Sequence, residues 1–162
     1  MITIRPAEPT DFDAVADLTV ESYVSGGFVA EASDYVQRLR DTAGRSDQAE
    51  VVVAELDGEV VGSVTIAEPG TPFSDVATDG ELEFRMLAVS PAARGRGAGS
   101  ALVRHVLDAA YDRGLHAVVI STEPEMVDAR RIYDRNDFVH MPERDWEPVR
   151  GMSLTVLVRE IV

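Results

Sequence analysis

The most constraining feature of this sequence is a strand, a glycine-rich turn and a helix in direct succession. An apolar strand is predicted over residues 82–89, an amphipathic helix over residues 97–113, and the turn between them has a glycine at every second position, Gly95, Gly97 and Gly99. Glycines leave backbone N–H groups uncovered, and the first N–H groups of a helix have no partner within it. Together with the helix dipole, this arrangement suits a phosphate or pyrophosphate. Arg94 and Arg96 add positive charge.

The glycine spacing excludes two common phosphate motifs. Both the P-loop pattern and the dinucleotide pattern that begins at Gly95 require glycine at position 100, where this chain has Ser100. The segment Arg94-x-x-Gly97-x-Gly99 instead matches [QR]-x-x-G-x-[GA], the acyl-CoA motif of the GNAT superfamily of N-acetyltransferases, and residues 87–91 resemble that family's L-x-V-x-P lead-in. The alternative is a glycine-rich turn without a ligand.

Length and composition bound the fold and its partners. A single domain over residues 1–162 is the simplest interpretation, and no apolar run approaches the roughly 20 residues of a membrane span. The absence of a signal-peptide pattern and of cysteine favours a cytoplasmic protein without disulfides or thiolate sites. A net charge of −14 disfavours nucleic acid and would mildly attract a cationic amine.

Hydrophobic periodicity predicts alternating strands and helices. Strands are expected over residues 2–5, 51–56, 59–67, 82–89, 117–122, 138–140 and 152–160, and helices over about 12–24, 32–42, 97–113 and 126–136. Asp57-Gly58 predicts a type I′ hairpin, and residues 44–47 and 69–80 are predicted loops. This order resembles the GNAT fold. The resemblance implies an α/β fold (α+β, mixed sheet) of about six to seven strands with helices on both faces.

The resemblance also implies where acetyl-CoA lies. In the family, the central strand and the strand after the helix splay apart, and the pantetheine arm pairs with the central strand as an added strand would. Leu87 and Val89 would supply the backbone partners. The other cofactor-binding residues implied are those of the turn, Arg94, Gly95, Arg96, Gly97, Ala98, Gly99 and Ser100.

Two side chains are candidates for proton transfer. An alkyl amine has a pKa of about 10, so a base must take its proton at neutral pH. Glu83 occupies the position where many family members carry an acidic base, acting directly or through water. The alternatives are that Glu83 pairs with Arg85 on the strand surface, or that Glu81 is the base. Tyr133 matches the tyrosine of the family's A-x-x-L-Y-x-x-x-G-F element, which acts as general acid towards the departing thiolate, and its alternative is a core tyrosine.

The residues that form the acceptor pocket are the hardest to identify from the sequence. Tyr23, Phe28 and Trp146 are candidates for its walls, and Trp146 has the equal alternative of packing against the last two strands. The family often has asparagine three residues before Ala129, where this chain has Met126, so a ligand contact at that position is left open. The three histidines show no metal spacing, and we expect no metal.

Together these patterns indicate an N-acetyltransferase that moves an acetyl group from acetyl-CoA to a primary amine, of a small molecule or a peptide, in a ternary complex. Two other classes stay open, a non-catalytic acyl-CoA sensor and an NAD-binding oxidoreductase. The second is weakened by the off-register glycines and by the single βαβ unit. The acceptor's identity, the acyl chain preference and the oligomeric state, a homodimer included, cannot be inferred from the sequence.

Overall fold

The computed structural model describes residues 1–161 and contains one mixed sheet with helices on both faces. The strands are β1 (Ile2–Pro6), β2 (Glu50–Leu56), β3 (Glu59–Ala67), β4 (Glu81–Val89), β5 (Ala117–Thr122), β6 (Val139–His140), β7 (Trp146–Val149) and β8 (Met152–Glu160). The helices are α1 (Phe12–Ser25), α2 (Tyr35–Arg40), α3 (Thr42–Gln48), α4 (Ala98–Asp112) and α5 (Val127–Arg135).

The sheet has the strand order β1-β2-β3-β4-β5-β8-β6, and β7 pairs with β8 away from this path. Its eight strands are slightly more than the six to seven expected. The additional strand is β7, a segment for which no strand was predicted. It forms because the chain doubles back at Gly151, whose φ of +87° favours glycine, and Trp146 and Val149 then pair with β8.

The β2–β3 hairpin confirms the predicted turn. Asp57 and Gly58 both have positive φ, 53° and 83°, as a type I′ turn requires. The register shifts beside Gly62, where a Cβ would lie 3.1 Å from Leu102 of α4. Glycine therefore allows this strand and the central helix to approach closely.

The prediction of one helix over residues 32–42 followed by a loop at 44–47 is wrong. The segment forms two short helices that break at Asp41, whose ψ of 65° leaves the helical region. The Asp41 side chain accepts a hydrogen bond from the Gly44 N–H at 3.0 Å and so caps α3. Burial of Arg45 holds this second helix against the molecule.

The central parallel pair is confirmed and explains the position of the main cavity. β4 and β5 pair only from Glu81 opposite Ala117 to Glu83 opposite Val119. Beyond that point β5 continues as a partner of β8, while the C-terminal half of β4 pairs only with β3. The two strands therefore part at their C-terminal ends, as the resemblance implied.

β4 is not regular. Met86 has a φ of +55°, and the register with β3 shifts between Ser63 and Thr65, which marks a bulge in the central strand. The strict alternation of side chains from Glu83 to Leu87 that a regular strand would give is therefore broken. The bulge changes the direction of the residues that follow it, and these residues border the cavity.

The two faces of the sheet carry different helices. On one face α4 and α5 cover a core that includes Phe84, Val118 and Leu157. On the other face α1 packs its Val15 against Val51 and Val53, which alternate with residues of the first core. A site at the parting of β4 and β5 can thus be reached by groups from both layers.

Candidate active site

The glycine-rich turn forms an open cradle at the start of α4. Gly97 occupies the N-cap position with a φ of +84°, and Gly95 has a φ of +79°. No side chain caps the helix, so its first N–H groups are left without intrahelical or side-chain acceptors. A Cβ at Gly95 or Gly97 would meet no atom within 4 Å. These features fit a pyrophosphate, because they leave N–H donors and empty space beside the positive end of the helix dipole.

A cavity of about 660 Å³ begins at this cradle and runs between α1, α5 and the end of β4. Four of the candidate residues do not line it: Glu83, Arg96, Tyr133 and Trp146. The candidates for acetyl-CoA binding that line it are Leu87, Val89, Arg94, Gly95, Gly97, Ala98, Gly99 and Ser100, and the candidates for acceptor binding that line it are Tyr23 and Phe28.

The cavity also has walls that the sequence analysis missed. Arg131 and Arg135 of α5 line it, and with Arg94 they bring three cationic side chains to one cavity of an acidic protein. Arg131 and Arg135 are four residues apart, which places them on one face of α5, and this spacing can be recognised in the sequence. Met126, where the family's asparagine is missing, lines the same cavity.

Close packing of α4 and α5 shapes the cavity floor. A Cβ on Gly99 would lie 2.5 Å from Cδ1 of Ile132, too close for any side chain without movement. Gly99 therefore serves two purposes, since it leaves the cradle open and lets α5 lie against the first turn of α4.

A second cavity, of about 570 Å³, adjoins the first and shares Gly26, Phe28 and Glu125 with it. Glu123, the residue after β5, lines this second cavity. Burial raises the pKa of the Glu123 carboxyl, and the neighbouring Glu125 raises it further. No motif in the sequence marks Glu123 as a titratable group near the parting of β4 and β5.

Glu83 is buried and lines neither cavity. Its Oε1 accepts hydrogen bonds from the Ser74 hydroxyl and from the backbone N–H groups of residues 75–77, at 2.9 to 3.1 Å. It does not pair with Arg85, which binds Asp75 instead. The carboxylate thus anchors the loop between β3 and β4.

Glu81, the alternative base, also forms hydrogen bonds within the protein, in its case to an arginine. Both of its oxygens accept hydrogen bonds from the Arg144 guanidinium, and Oε1 also accepts one from the Thr78 N–H. Burial alone would raise the pKa of this carboxyl, but the hydrogen bonds from Arg144 and Thr78 hold it below its usual value. A carboxylate in this state is a weak base.

Tyr133 lies inside the core at the parting of the strands. Its ring contacts Phe84 and Phe138, with centroids 5.8 Å away in each case, and is 3% exposed. Burial raises the pKa of its phenol, and Tyr23 raises it further, so Tyr133 stays protonated at neutral pH. Its neighbour Ile132 lines the main cavity.

Trp146 packs against the sheet. Its Nε1 donates to Ser121 Oγ at 2.9 Å, and its ring lies against the valine cluster of β5 and β8. It lines neither cavity. This is the packing alternative that the sequence left open.

Residues 1–161 lack two features, a membrane-spanning helix and a metal-binding cluster. None of their helices combines the length and apolar character needed to cross a bilayer. No group of three or more His, Cys, Asp or Glu side chains among them could hold a metal ion.

Known proteins resemble this chain in sequence. It is 37% identical over 103 residues to a mycothiol acetyltransferase of Cellulomonas flavigena, covering 62% of this chain and 30% of that protein. It is 34% identical over 107 residues to human N-acetylaspartate synthetase, covering 66% of this chain and 33% of that protein. The match thus spans about a third of the length of these relatives.

Solved structures share the fold, and a family model matches the sequence. A GNAT-family acetyltransferase from Staphylococcus aureus superposes with a TM-score of 0.77 at 11% identity, covering all of both chains. An acetyltransferase from Salmonella typhimurium, solved with acetyl-CoA, superposes with a TM-score of 0.69 at 23% identity, covering 100% of this chain and 95% of that one. The model of the Acetyltransferase (GNAT) family matches residues 12–138, and the chain belongs to that family.

Proposed function

We propose that this protein is an N-acetyltransferase that acts on a primary amine of a small molecule or a peptide. Acetyl-CoA would supply an activated acetyl group, which the amine takes up directly while both are bound. The observation that carries the proposal is the continuous cavity from the uncapped start of α4 to the parting of β4 and β5. The relatives' names, which describe acetylation of small molecules, support such an acceptor.

The donor side of the cavity supplies binding and orientation. The N–H groups at the start of α4 and the Arg94 guanidinium would hold the pyrophosphate. Leu87 and Val89 would offer backbone groups to the pantetheine arm beyond the last β4–β5 pair. Arg131 and Arg135 would neutralise further phosphate charge from α5.

The acid and base would come from opposite sides of the parted strands. Glu83 would take the proton of the amine through a water molecule, because its Oε2 accepts no hydrogen bond from residues 1–161 while Oε1 is saturated. Tyr133 would give a proton to the leaving sulfur, since burial keeps its phenol protonated. Tyr23 and Phe28 would border the acceptor.

The test has two arms on the same purified protein. Thermal unfolding with acetyl-CoA and with NAD measures which ligand binds, and a rise in melting temperature with acetyl-CoA alone is expected. Release of free thiol with a panel of primary amines then measures turnover. Stabilisation by acetyl-CoA without thiol release for any amine would indicate a sensor, and stabilisation by NAD would indicate an oxidoreductase.

A further inference from the structure

The second cavity, of about 570 Å³, joins the main cavity outside the glycine-rich turn. The two cavities share Gly26, Phe28 and Glu125, and none of these residues belongs to the turn. Glu125 lies between β5 and α5, and Glu123, at the carboxyl end of β5, lines the second cavity. β4 and β5 have parted at that end. An acceptor in the second cavity can therefore reach the part of the main cavity where the acetyl group would be presented.

The charged side chains that line the second cavity are both carboxylates. Glu123 is half-buried and Glu125 is exposed, and no cationic side chain of residues 1–161 lines this cavity. The chain has no lysine, so its cationic side chains are arginines and histidines. The arginines that line the main cavity, Arg94, Arg131 and Arg135, do not line the second one. The charge in the lining of the second cavity is therefore entirely negative.

Neither of these carboxylates is paired with a cation of the protein. No arginine or histidine within residues 1–161 forms an ion pair with Glu123 or Glu125. Arg131, which lines the main cavity together with Glu125, pairs with Asp128 instead. Burial raises the pKa of the Glu123 carboxyl, and Glu125 raises it further because the two like charges repel. A cation bound beside both carboxylates would relieve this repulsion.

The other walls of the second cavity suit an ammonium group on an alkyl chain. The Phe28 ring packs over Gly26, where a Cβ would lie 2.5 Å from Cε2 of the ring, and both residues border the two cavities. An aromatic ring attracts a cation to its face. Met152, at the start of β8, adds apolar surface for methylene groups. The cavity thus combines carboxylates with apolar and aromatic walls.

The amine that attacks the acetyl group must be neutral, so it is not the cation that these carboxylates would hold. A second amine on the same molecule does not react, and with a pKa of about 10 it remains an ammonium ion at neutral pH. We propose that Glu123 and Glu125 bind such an ammonium group, so that the preferred acceptors are amines that carry a second amino group, such as α,ω-diamines. This inference rests on the proposed function, since it names the substrate class of the same site. The reacting amine then lies where the two cavities meet.

The experiment compares acceptors that differ only at the far end of the chain. Short α,ω-diamines, amino alcohols and ω-amino carboxylic acids of equal chain length are supplied with saturating acetyl-CoA, and kcat/KM is measured by thiol release. We expect the diamine to exceed the amino alcohol by at least about 5-fold at the best length, more than the factor of about two that its two equivalent amines give. The amino carboxylic acid should be the poorest acceptor, because its carboxylate is repelled. Added NaCl should reduce the advantage of the diamine, since salt screens exposed charges.

Glu125→Gln removes one of the two charges at an exposed position, where folding does not depend on it. It should lower the ratio of kcat/KM for diamine over amino alcohol by about 2- to 5-fold. Glu123→Gln should lower the same ratio, whatever it does to the rate that both acceptors share. Glu59→Gln is the matched control and should keep the wild-type ratio, because it makes the same change in net charge at an exposed residue that lines neither cavity.

An amino alcohol used as well as the diamine by the wild type would overturn the inference. So would a ratio that is unchanged in Glu125→Gln, or one that falls equally in Glu59→Gln, since the net charge of the protein would then explain the preference. No thiol release with any amine would instead refute the proposed function itself.

Discussion

Arg144 holds the Glu81 carboxylate with both of its terminal nitrogens, since Nη1 donates to Oε2 and Nη2 donates to Oε1, each over 2.9 Å. The same Nη2 donates to the Val76 carbonyl at 2.8 Å. One guanidinium therefore ties together the start of the central strand, the loop before it and the turn before β7. Loss of this ion pair is expected to affect stability first.

We predict that Glu81→Gln lowers the free energy of unfolding by about 2 to 3 kcal/mol at pH 7, because Arg144 then loses its buried anion. The pKa of Glu81 is held below its usual value in the folded state, so its contribution is present above the unfolded pKa of about 4.3 and is lost as pH falls through the lower folded pKa. Urea unfolding of both proteins at several pH values measures this. The difference in free energy of unfolding between the wild type and Glu81→Gln should become smaller at acidic pH.

Asp17→Asn is the control for this pair. Asp17 forms an ion pair with Arg40 at 3.2 Å, but both side chains are about half exposed or more, at 73% and 49%. Such a pair is worth less than about 1 kcal/mol. An equal loss of stability in the two variants would contradict the role given to the buried pair.

We predict that Gly97→Glu weakens acetyl-CoA binding by at least about 10-fold, because it places a negative charge beside the pyrophosphate site at the helix start. Isothermal calorimetry measures the affinity. Gly58→Glu is a matched control, since Gly58 has nearly the same φ, +83° against +84°, and equally open surroundings. Both variants carry the backbone strain, but only the first adds charge to the cavity. Equal affinities in the two variants would refute the assignment of the cradle.

The parts of the fold that were predictable are those set by nearby residues. The Asp57-Gly58 turn and the uncapped helix start at Gly97 depend on local backbone conformation, which glycine spacing reveals directly. The break at Asp41 has a local cap, but the second helix depends on burial of Arg45, which no pattern in that segment announces.

The candidate site was predictable in its donor half and much less so in its acceptor half. Eight of the nine donor-side residues line the main cavity because they form one continuous local motif. The partners of Glu83 and the Asp75 partner of Arg85 lie on the loop before β4, and loop placement follows from tertiary contacts rather than periodicity. The bulge at Met86 was missed for the same reason, since a methionine with positive φ has no sequence signature.

We predict that Tyr133→Phe lowers kcat by about 100-fold, the lower end of general acid contributions, and leaves acetyl-CoA affinity nearly unchanged. The ring contacts with Phe84 and Phe138 persist in phenylalanine, so the melting temperature should change little. Steady-state kinetics and thermal unfolding measure the two effects. Tyr111→Phe, at a residue 67% exposed on α4, is the control. Full activity in Tyr133→Phe would contradict the general acid role and would indicate that Tyr133 only packs in the core.

The last prediction separates two roles of Glu83, base and loop anchor. Its Oε1 accepts four hydrogen bonds from residues 74–77, whereas Oε2 accepts none from the residues that the structure describes. Glu83→Gln can keep the carbonyl oxygen in the first position and lose only the proton acceptor in the second. Glu83→Ala loses both.

If Glu83 is the base, Glu83→Gln should retain acetyl-CoA binding and the melting temperature but flatten the acidic limb of the kcat/KM profile. Raising the pH should partly restore the rate, because more of the amine is then deprotonated in solution. Glu83→Ala should lose stability as well. A wild-type profile in Glu83→Gln together with a loss in Glu83→Ala would make the residue an anchor alone.

Glu123 is a second candidate for the base, and the same experiment must distinguish it from Glu83. Its pKa is raised, so as a base it would give an acidic limb above the ordinary carboxyl pKa of about 4.3, with the rate rising as pH passes through the raised value. Glu123→Gln should leave that limb intact if Glu83 is the base. Loss of the limb in Glu123→Gln and its survival in Glu83→Gln would instead identify Glu123, which lines the second cavity together with Phe28, as the base.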